Sequence, residues 1–226
     1  MERQLTHEAY GHILTNIGCW SANGQWLVYD TRSDAAGSHF DGRWIERVHV
    51  ESGRVERLYE SRNGAHCGVV TCCPVTHRLL FILGPEYPTA DWQYAAYHRR
   101  GVILEPGQES PHGLDAMCYA EPFVLGALRG GSHVHTFDGL GRAVAFTYED
   151  HVLATHANEH DTHEQDAAPT ILGHHRRTVE RNQRNVGLSI PADGVEVPAT
   201  HPRNHSGSHF SVLLTRTWDE PERGSD

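Results

Sequence analysis

Short runs of branched and aromatic residues recur along the chain and are separated by polar turns. The clearest runs are residues 26–29, 44–50, 55–59 and 79–82, and several of the turns between such runs contain Gly or Asn, as hairpin turns often do. A sustained helical period is missing. Only the polar stretch 162–184 could be helical, and it has no clean apolar stripe. The pattern therefore predicts an all-β chain.

The strand-like runs belong to a repeat. Residues 20–29, 73–82 and 137–146 can be aligned, because in each a polar turn of similar length joins one strand to an apolar strand. After the first of these, residues 45–58 form a second hairpin pattern centred on Ser52 and Gly53. Four strands per unit are typical of a blade of a β-propeller.

The repeat predicts a partial β-propeller of about three to four four-stranded blades. The blades are expected near residues 11–60, 61–119 and 120–200, with an incomplete one from 201. A partial ring leaves sheet faces and edges uncovered. We therefore expect the front part of a longer ring, closed by a missing C-terminal half or by a second chain.

Two stretches fall outside the repeat. The His-rich insertion 155–185 is interpreted as a solvated loop, with a metal-sequestering tract as the alternative. The polar residues 217–226 are expected to form a loose tail.

Composition excludes some partners. The 19 basic and 29 acidic residues give a formal charge of −10 with neutral histidines, which argues against a nucleic-acid partner. The 19 histidines would cancel much of this charge in mild acid.

Five cysteines, an odd number without zinc-like spacing, are expected to be buried free thiols in a reducing compartment. The N-terminus lacks the apolar core of a signal peptide, and no apolar run approaches membrane-spanning length. The sequence therefore predicts a cytoplasmic protein with no membrane partner.

Histidines that follow small residues are the candidate ligands of a metal ion or an anion. In Gly131-Ser132-His133-Val134-His135 the two histidines at i and i+2 are expected on one face of a strand, where both could meet one ion or anion. His66 and His209 follow small residues in the same way. Because the starts of inner propeller strands crowd one mouth of the channel, we expect His66, His133, His135 and His209 to converge as metal ligands. Histidines that only bond water or backbone in a wet channel are the alternative.

The chain resembles bacterial Tol-like (TolB/WD40-like) propeller proteins, on the evidence of residues 20–30, which are close to that repeat's turn. It resembles more closely an uncharacterised branch of these propellers, through segments such as 64–70, 129–135 and 206–209. This resemblance spans nearly the whole chain. It implies a longer, seven-bladed family protein of which this chain matches the N-terminal half.

A more distant resemblance is to oligogalacturonide lyases, seven-bladed propellers with a manganese-type ion on histidines and a glutamine. Residues 133–138 fit their His-x-His pair followed by Phe and an Asp-containing turn, whereas Arg129-Gly130-Gly131 stands where the lyases have the glutamine. The resemblance implies a divalent metal of the Mn type. Such a metal would polarise the carboxylate of an acidic oligosaccharide for β-elimination.

Further residues are candidates for the site. Arg129 could hold a substrate carboxylate bidentately, as a catalytic residue. Asn16 and Glu86 are candidate ligand-binding residues, although Asn16 could instead cap a strand end and Glu86 could simply form a turn. Residues 91–94 and 97–100 offer aromatic and basic groups for a sugar platform, or for packing between blades. The alternative function is a non-catalytic propeller scaffold that binds a protein or peptide.

Overall fold

A computed structural model describes residues 2–155 and 184–215. In this part of the chain twelve β-strands carry the regular structure, and residues 151–155 form a helical turn. The prediction of an all-β chain is confirmed. The strands are β1 Gly11–Ile13, β2 Trp26–Arg32, β3 Trp44–His49, β4 Val55–Glu60, β5 Cys67–Cys72, β6 Leu79–Leu83, β7 Arg100–Leu104, β8 His112–Gly113, β9 Gly130–Phe137, β10 Val144–Asp150, β11 Asn185–Val195 and β12 Gly207–Leu213.

The strands form three four-stranded antiparallel sheets, each built from four strands consecutive in the chain. Sheet 1 contains β1–β4, sheet 2 contains β5–β8 and sheet 3 contains β9–β12. Each sheet is blade-like, as the repeat predicts. The described residues form no closed ring, and the propeller itself stays a prediction.

The position of β12 corrects one predicted boundary. Residues from 201 onward were expected to begin an incomplete fourth blade, but β12 pairs with β11, with Leu188 opposite Val212 and Ile190 opposite Phe210. The third unit is longer than the first two, because residues 151–184 separate its second strand from its third. Its fourth strand therefore lies where a new unit was expected.

Two apolar layers hold the sheets together. Between sheets 1 and 2 lie Val28, Ile45, Phe81 and Val102, and between sheets 2 and 3 lie Leu80, Ile103, Leu114 and Val144. Every residue of β5 and β6 is buried. In β10, by contrast, only alternate residues are buried, from Val144 to Asp150. Sheet 2 is therefore covered on both faces and sheet 3 mainly on one.

The structure tests the predictions on the cysteines but not those on the polar segments. All five cysteines are buried and free, as predicted. Residues 162–183 of the polar stretch, residues 156–183 of the His-rich insertion and the tail 217–226 lie outside the described residues. In the described part of the chain no helix is long and apolar enough to cross a membrane.

Candidate functional site

The first strands of sheets 2 and 3 carry the same irregularity. Val69 in β5 and Val134 in β9 have positive φ values of 57° and 52°. Such values are uncommon for a β-branched residue. The pairing register shifts at both places, so that two residues of the first strand stand opposite one residue of its neighbour. These are β-bulges, and they change the direction of the side chains that follow.

The bulge in β9 overturns the expectation that His133 and His135 share a face. His133 stands opposite Thr147, whereas Val134 and His135 together stand opposite Phe146. Thr147 and Phe146 are adjacent in β10 and point to opposite faces of the sheet. The His135 ring lies 6.0 Å from the Phe146 ring, on the face turned towards sheet 2. The extra residue thus separates the two imidazoles.

His135 is completely buried between sheets 2 and 3. Its Nε2 lies 3.0 Å from Ser132 Oγ, and that hydroxyl accepts the N–H of Gly101 at 3.3 Å. Burial, with smaller contributions from His133 and Arg99, lowers the pKa of His135 to about 3. The ring is therefore a neutral group of the packing between sheets.

His66 and His209 lie in other surroundings. His209 is on β12, the last strand of sheet 3, where its N–H donates to Leu114 O at 3.0 Å. Burial, followed by the charges of Arg78 and His112, lowers its pKa to about 4. His66 precedes β5 and lines a separate cavity of about 150 Å³ beside Tyr94.

The predicted four-histidine metal centre is not formed by the described residues. Among them, no group of three or more His, Cys, Asp and Glu side chains is placed to hold a metal ion. His133 and His135 point to opposite faces of sheet 3 and His209 lies on its outer strand, so these donors do not fit a common ion.

Two other candidates have their polar groups engaged inside the protein. Arg129 donates from Nε and Nη2 to Asp150 Oδ2 at 3.0 and 2.8 Å, which occupies the guanidinium expected to hold a substrate. Asn16 is buried, and its Nδ2 donates to Val69 O at 3.1 Å and to His135 O at 3.4 Å. Asn16 thus links the two bulges.

Glu86, the remaining candidate, lies at a cavity between sheets 2 and 3, here called the inter-sheet pocket. The β6–β7 connection, the start of β7, the segment after β8 and the β11–β12 loop enclose about 200 Å³. The lining residues are Gly84, Pro85, Glu86, Tyr87, Trp92, His98, Arg100, Met117, Tyr119, Pro202, Arg203 and His205.

The β11–β12 loop is fixed against the segment after β8 by main-chain hydrogen bonds. Met117 N–H donates to His205 O at 2.7 Å, and His205 N–H donates to Met117 O at 3.0 Å. Asn204 Oδ1 accepts the N–H of Tyr119 at 2.8 Å. The wall of the inter-sheet pocket that carries Arg203 is therefore held in place before any ligand binds.

Aromatic and histidine rings form a second wall. Trp92 stacks on His98 with ring centroids 3.9 Å apart, and Tyr119 meets Trp92 edge-on at 5.1 Å. His98 Nδ1 lies 2.8 Å from Gln93 O, and its Nε2 lies 3.1 Å from His151 Nδ1. Since a carbonyl oxygen only accepts, this network assigns the His98 proton to Nδ1 and makes His151 the donor to Nε2.

Both histidines of this pair are neutral near pH 7. Burial is the largest cause of the lowered pKa of His98, and burial together with His98 lowers the pKa of His151 to about 4. The fixed positive charge at the inter-sheet pocket therefore comes from Arg100 and Arg203. In the part of the chain that the structure describes, neither guanidinium forms an ion pair, and that of Arg203 lies 5.0 Å from the Trp92 ring.

The sequence contained a partial signal for the inter-sheet pocket. Residues 91–94 and 97–100 combine aromatic and basic side chains, and the structure uses them both in packing between sheets and in lining the cavity. Arg203 and Tyr119 were missed. They lie in other segments, and only the folded chain brings them beside Trp92.

Fold and pocket together define an all-β protein of blade-like sheets with a small cavity rich in arginine and aromatic side chains between two of them. The chain belongs to the DUF3748 family, described as proteins of unknown function, whose profile matches residues 66–205.

The chain is 43% identical over 224 residues to the uncharacterized protein YidR of Escherichia coli (strain K12). That alignment covers 99% of this chain and 48% of YidR, so the chain spans about half the length of the curated relative that it matches. An uncharacterised family agrees with the uncharacterised branch predicted from sequence. The likeness to Tol-like propellers and to oligogalacturonide lyases stays a prediction.

Proposed function

We propose that this chain binds a small acidic carbohydrate, of the size of one uronate unit, in the inter-sheet pocket. The observation that carries the proposal is the pair Arg100 and Arg203, which line one cavity of about 200 Å³ without ion-pair partners among the described residues. The two guanidinium groups outnumber the one carboxylate of the lining, that of Glu86, and in a chain with a formal charge of −10 this local excess of fixed positive charge favours an anionic ligand.

Arginine suits the carboxylate of such a ligand. Its guanidinium presents donors in a planar fork that matches both oxygens of a carboxylate. The apolar faces of a sugar ring can pack against Trp92 and Tyr119, and neutral His205 in the pocket lining can exchange hydrogen bonds with hydroxyl groups. Aromatic side chains together with a few charged and hydrogen-bonding groups are typical of small-molecule sites.

Binding alone is proposed, without a metal-assisted elimination step. The sequence led us to expect a Mn-type ion held by His66, His133, His135 and His209, but the proposal does not use it, because among the described residues no three donors are placed for one ion and His133 and His135 point to opposite faces of sheet 3. Arg129, the expected catalytic residue, is engaged by buried Asp150. No step of a lyase reaction can be assigned to the described residues.

Calorimetric titration of the full chain with galacturonate and with galactose tests the proposal, because the two sugars differ only in the carboxylate at C6. We expect galacturonate to bind and galactose to bind at least tenfold more weakly. Replacing Arg203 or Arg100 by Gln should weaken galacturonate binding by about 10- to 100-fold, since a hydrogen bond to a charged group contributes about 1.5–3 kcal/mol.

Arg54→Gln is the matched control, because Arg54 is exposed and lies in the β3–β4 turn of sheet 1 with Glu56 as its partner. Its affinity for galacturonate should equal that of the unaltered chain. Equal affinity for both sugars, no binding of galacturonate, or equal losses in the Arg54 and Arg203 variants would each contradict the proposal.

A further inference from the structure

One face of sheet 3 is largely apolar and is left open by the described residues. The side chains that point away from sheet 2 include His133 of β9 and alternate positions of β10, β11 and β12, and Leu188 stands between Ala145 and Val212 in the pairing register. Val186 and Val212 are each 42% exposed and Leu214 is 61% exposed. We call Ala145, Val186, Leu188, Val212 and Leu214 the open face.

Charge is almost absent from this side of sheet 3. In the described strands Glu149 is the one charged side chain that shares it, at the end of β10. Its carboxylate is held by Arg184 at 3.0 Å and by Arg99 at 3.5 Å. An apolar patch with its charge confined to the rim is typical of a surface that another polypeptide covers.

Sheet 2 shows what covers such a face in this protein. Each of its faces packs against a four-stranded antiparallel sheet of the same chain, and every residue of β5 and β6 is buried as a result. Sheet 3 presents the same kind of alternating apolar surface, and the described residues cover it only on the face towards sheet 2. The 48% coverage of YidR means that this relative has about as much chain again beyond the matched part.

We propose that the open face of sheet 3 binds a further four-stranded antiparallel sheet, supplied by a polypeptide equivalent to the part of YidR that this chain does not span. Packing of β-sheet faces buries alternate residues of both sheets, and Leu188 and Val212 lie at the centre of the area to be covered.

Co-expression tests the docking. The full chain is produced together with the unmatched part of YidR, and their complex is quantified by affinity capture and analytical ultracentrifugation. We expect a complex of one copy of each. Val212→Asp should weaken it at least tenfold, because the aspartate would be buried without a partner in an apolar contact. Val75→Asp, at a 58% exposed position in the β5–β6 turn, is the matched control and should leave the complex unchanged.

The isolated chain supplies the second measurement. Because Val212 and Val75 are both exposed there, each Asp variant should shift the urea midpoint by a similar small amount. Four results would overturn the proposal. They are no complex on co-expression, an equally strong complex with Val212→Asp, self-association of the isolated chain that Val212→Asp abolishes, and a much larger loss of stability for Val212→Asp than for Val75→Asp. The third would assign the open face to a second copy, and the fourth to a segment of the chain itself.

Discussion

The imidazole of His135 occupies space that a glycine on the facing sheet leaves free. A Cβ atom at Gly101 would lie 2.6 Å from His135 Nε2 and 2.9 Å from its Cε1. The N–H of Gly101 donates to the Ser132 hydroxyl that also bonds the imidazole. At the scale of single residues, then, His135 is part of the contact between sheets 2 and 3.

We predict that Gly101→Ala lowers the free energy of unfolding by about 1–3 kcal/mol, because the new methyl group overpacks this contact. Urea denaturation measures the effect. Gly139→Ala is the control, since a Cβ there meets nothing within 4 Å. In a His135→Ala background the loss caused by Gly101→Ala should become smaller, because the ring that it meets is gone. An unchanged loss in that background would contradict the assigned contact.

Residue types were easier to predict than their partners. The sequence identifies His135, Asn16 and Arg129 as polar residues near strand ends, but a spacing of two residues carries no sign of the bulge at Val134. Asn16 bonds carbonyls 53 and 119 positions away, and Arg129 bonds Asp150 across a hairpin. Such partners are fixed by tertiary packing, which local patterns do not encode.

At the scale of elements, the bulges in β5 and β9 are held by buried side chains of sheet 1 and of the β1–β2 connection. Asp30 Oδ1 accepts the N–H of Val69 at 2.9 Å, and Asn16 donates to the carbonyls of Val69 and His135. Buried side chains of sheet 1 and its connection thus stabilise irregular backbone in sheets 2 and 3. This support compensates for the left-handed conformation of two valines, which costs about 1–2 kcal/mol at each.

Replacing Val134 by Gly should leave the free energy of unfolding unchanged or raise it. Glycine adopts a positive φ without strain, and Val134 is 37% exposed, so little apolar burial is lost. Val186→Gly is the matched control, at 42% exposure in the regular strand β11, and should lower stability by about 1 kcal/mol. Equal losses for the two variants, measured by urea denaturation, would show that the backbone at Val134 is not strained.

Strands and hairpins were predicted well where apolar runs and the turn residues between them are close together in the chain. The hairpins of sheet 1 and the four-strand unit follow from apolar runs between Gly and Asn turns, because antiparallel pairing of consecutive strands needs no information from distant parts of the chain. The fourth strand of sheet 3 was misassigned, because a long insertion separates β10 from β11 and no local signal says which unit β12 joins.

At the scale of the whole molecule, buried histidines govern the pH dependence of stability. Burial lowers the pKa of His133 and His135 to about 3 and that of His151, His205 and His209 to about 4, from an ordinary value of 6.5. Between these values the unfolded chain binds more protons than the folded protein, so this part of the stability is present above pH 6.5 and is lost as the pH falls. Burial of Asp30 and Asp115 raises their pKa values to about 6, from 3.8, which acts in the opposite direction.

Because these five histidines outweigh two carboxyl groups, the free energy of unfolding should decrease as the pH is lowered from 7 to 5. Each net proton taken up on unfolding contributes a slope of about 1.4 kcal/mol per pH unit. Urea denaturation at pH 7, 6 and 5 measures the slope, and His209→Gln should reduce it. A stability that is constant or rises on acidification would contradict the burial of these imidazoles in neutral form.

The central claim is that Arg100 and Arg203 form an anion site in the inter-sheet pocket, and a crystal structure of the full chain with galacturonate tests it most directly. We predict density for one sugar in the cavity, with its carboxylate on the two guanidinium groups and its ring beside Trp92. Galacturonate bound instead near His66 or His133, or a pocket that stays empty at saturating ligand, would contradict the account.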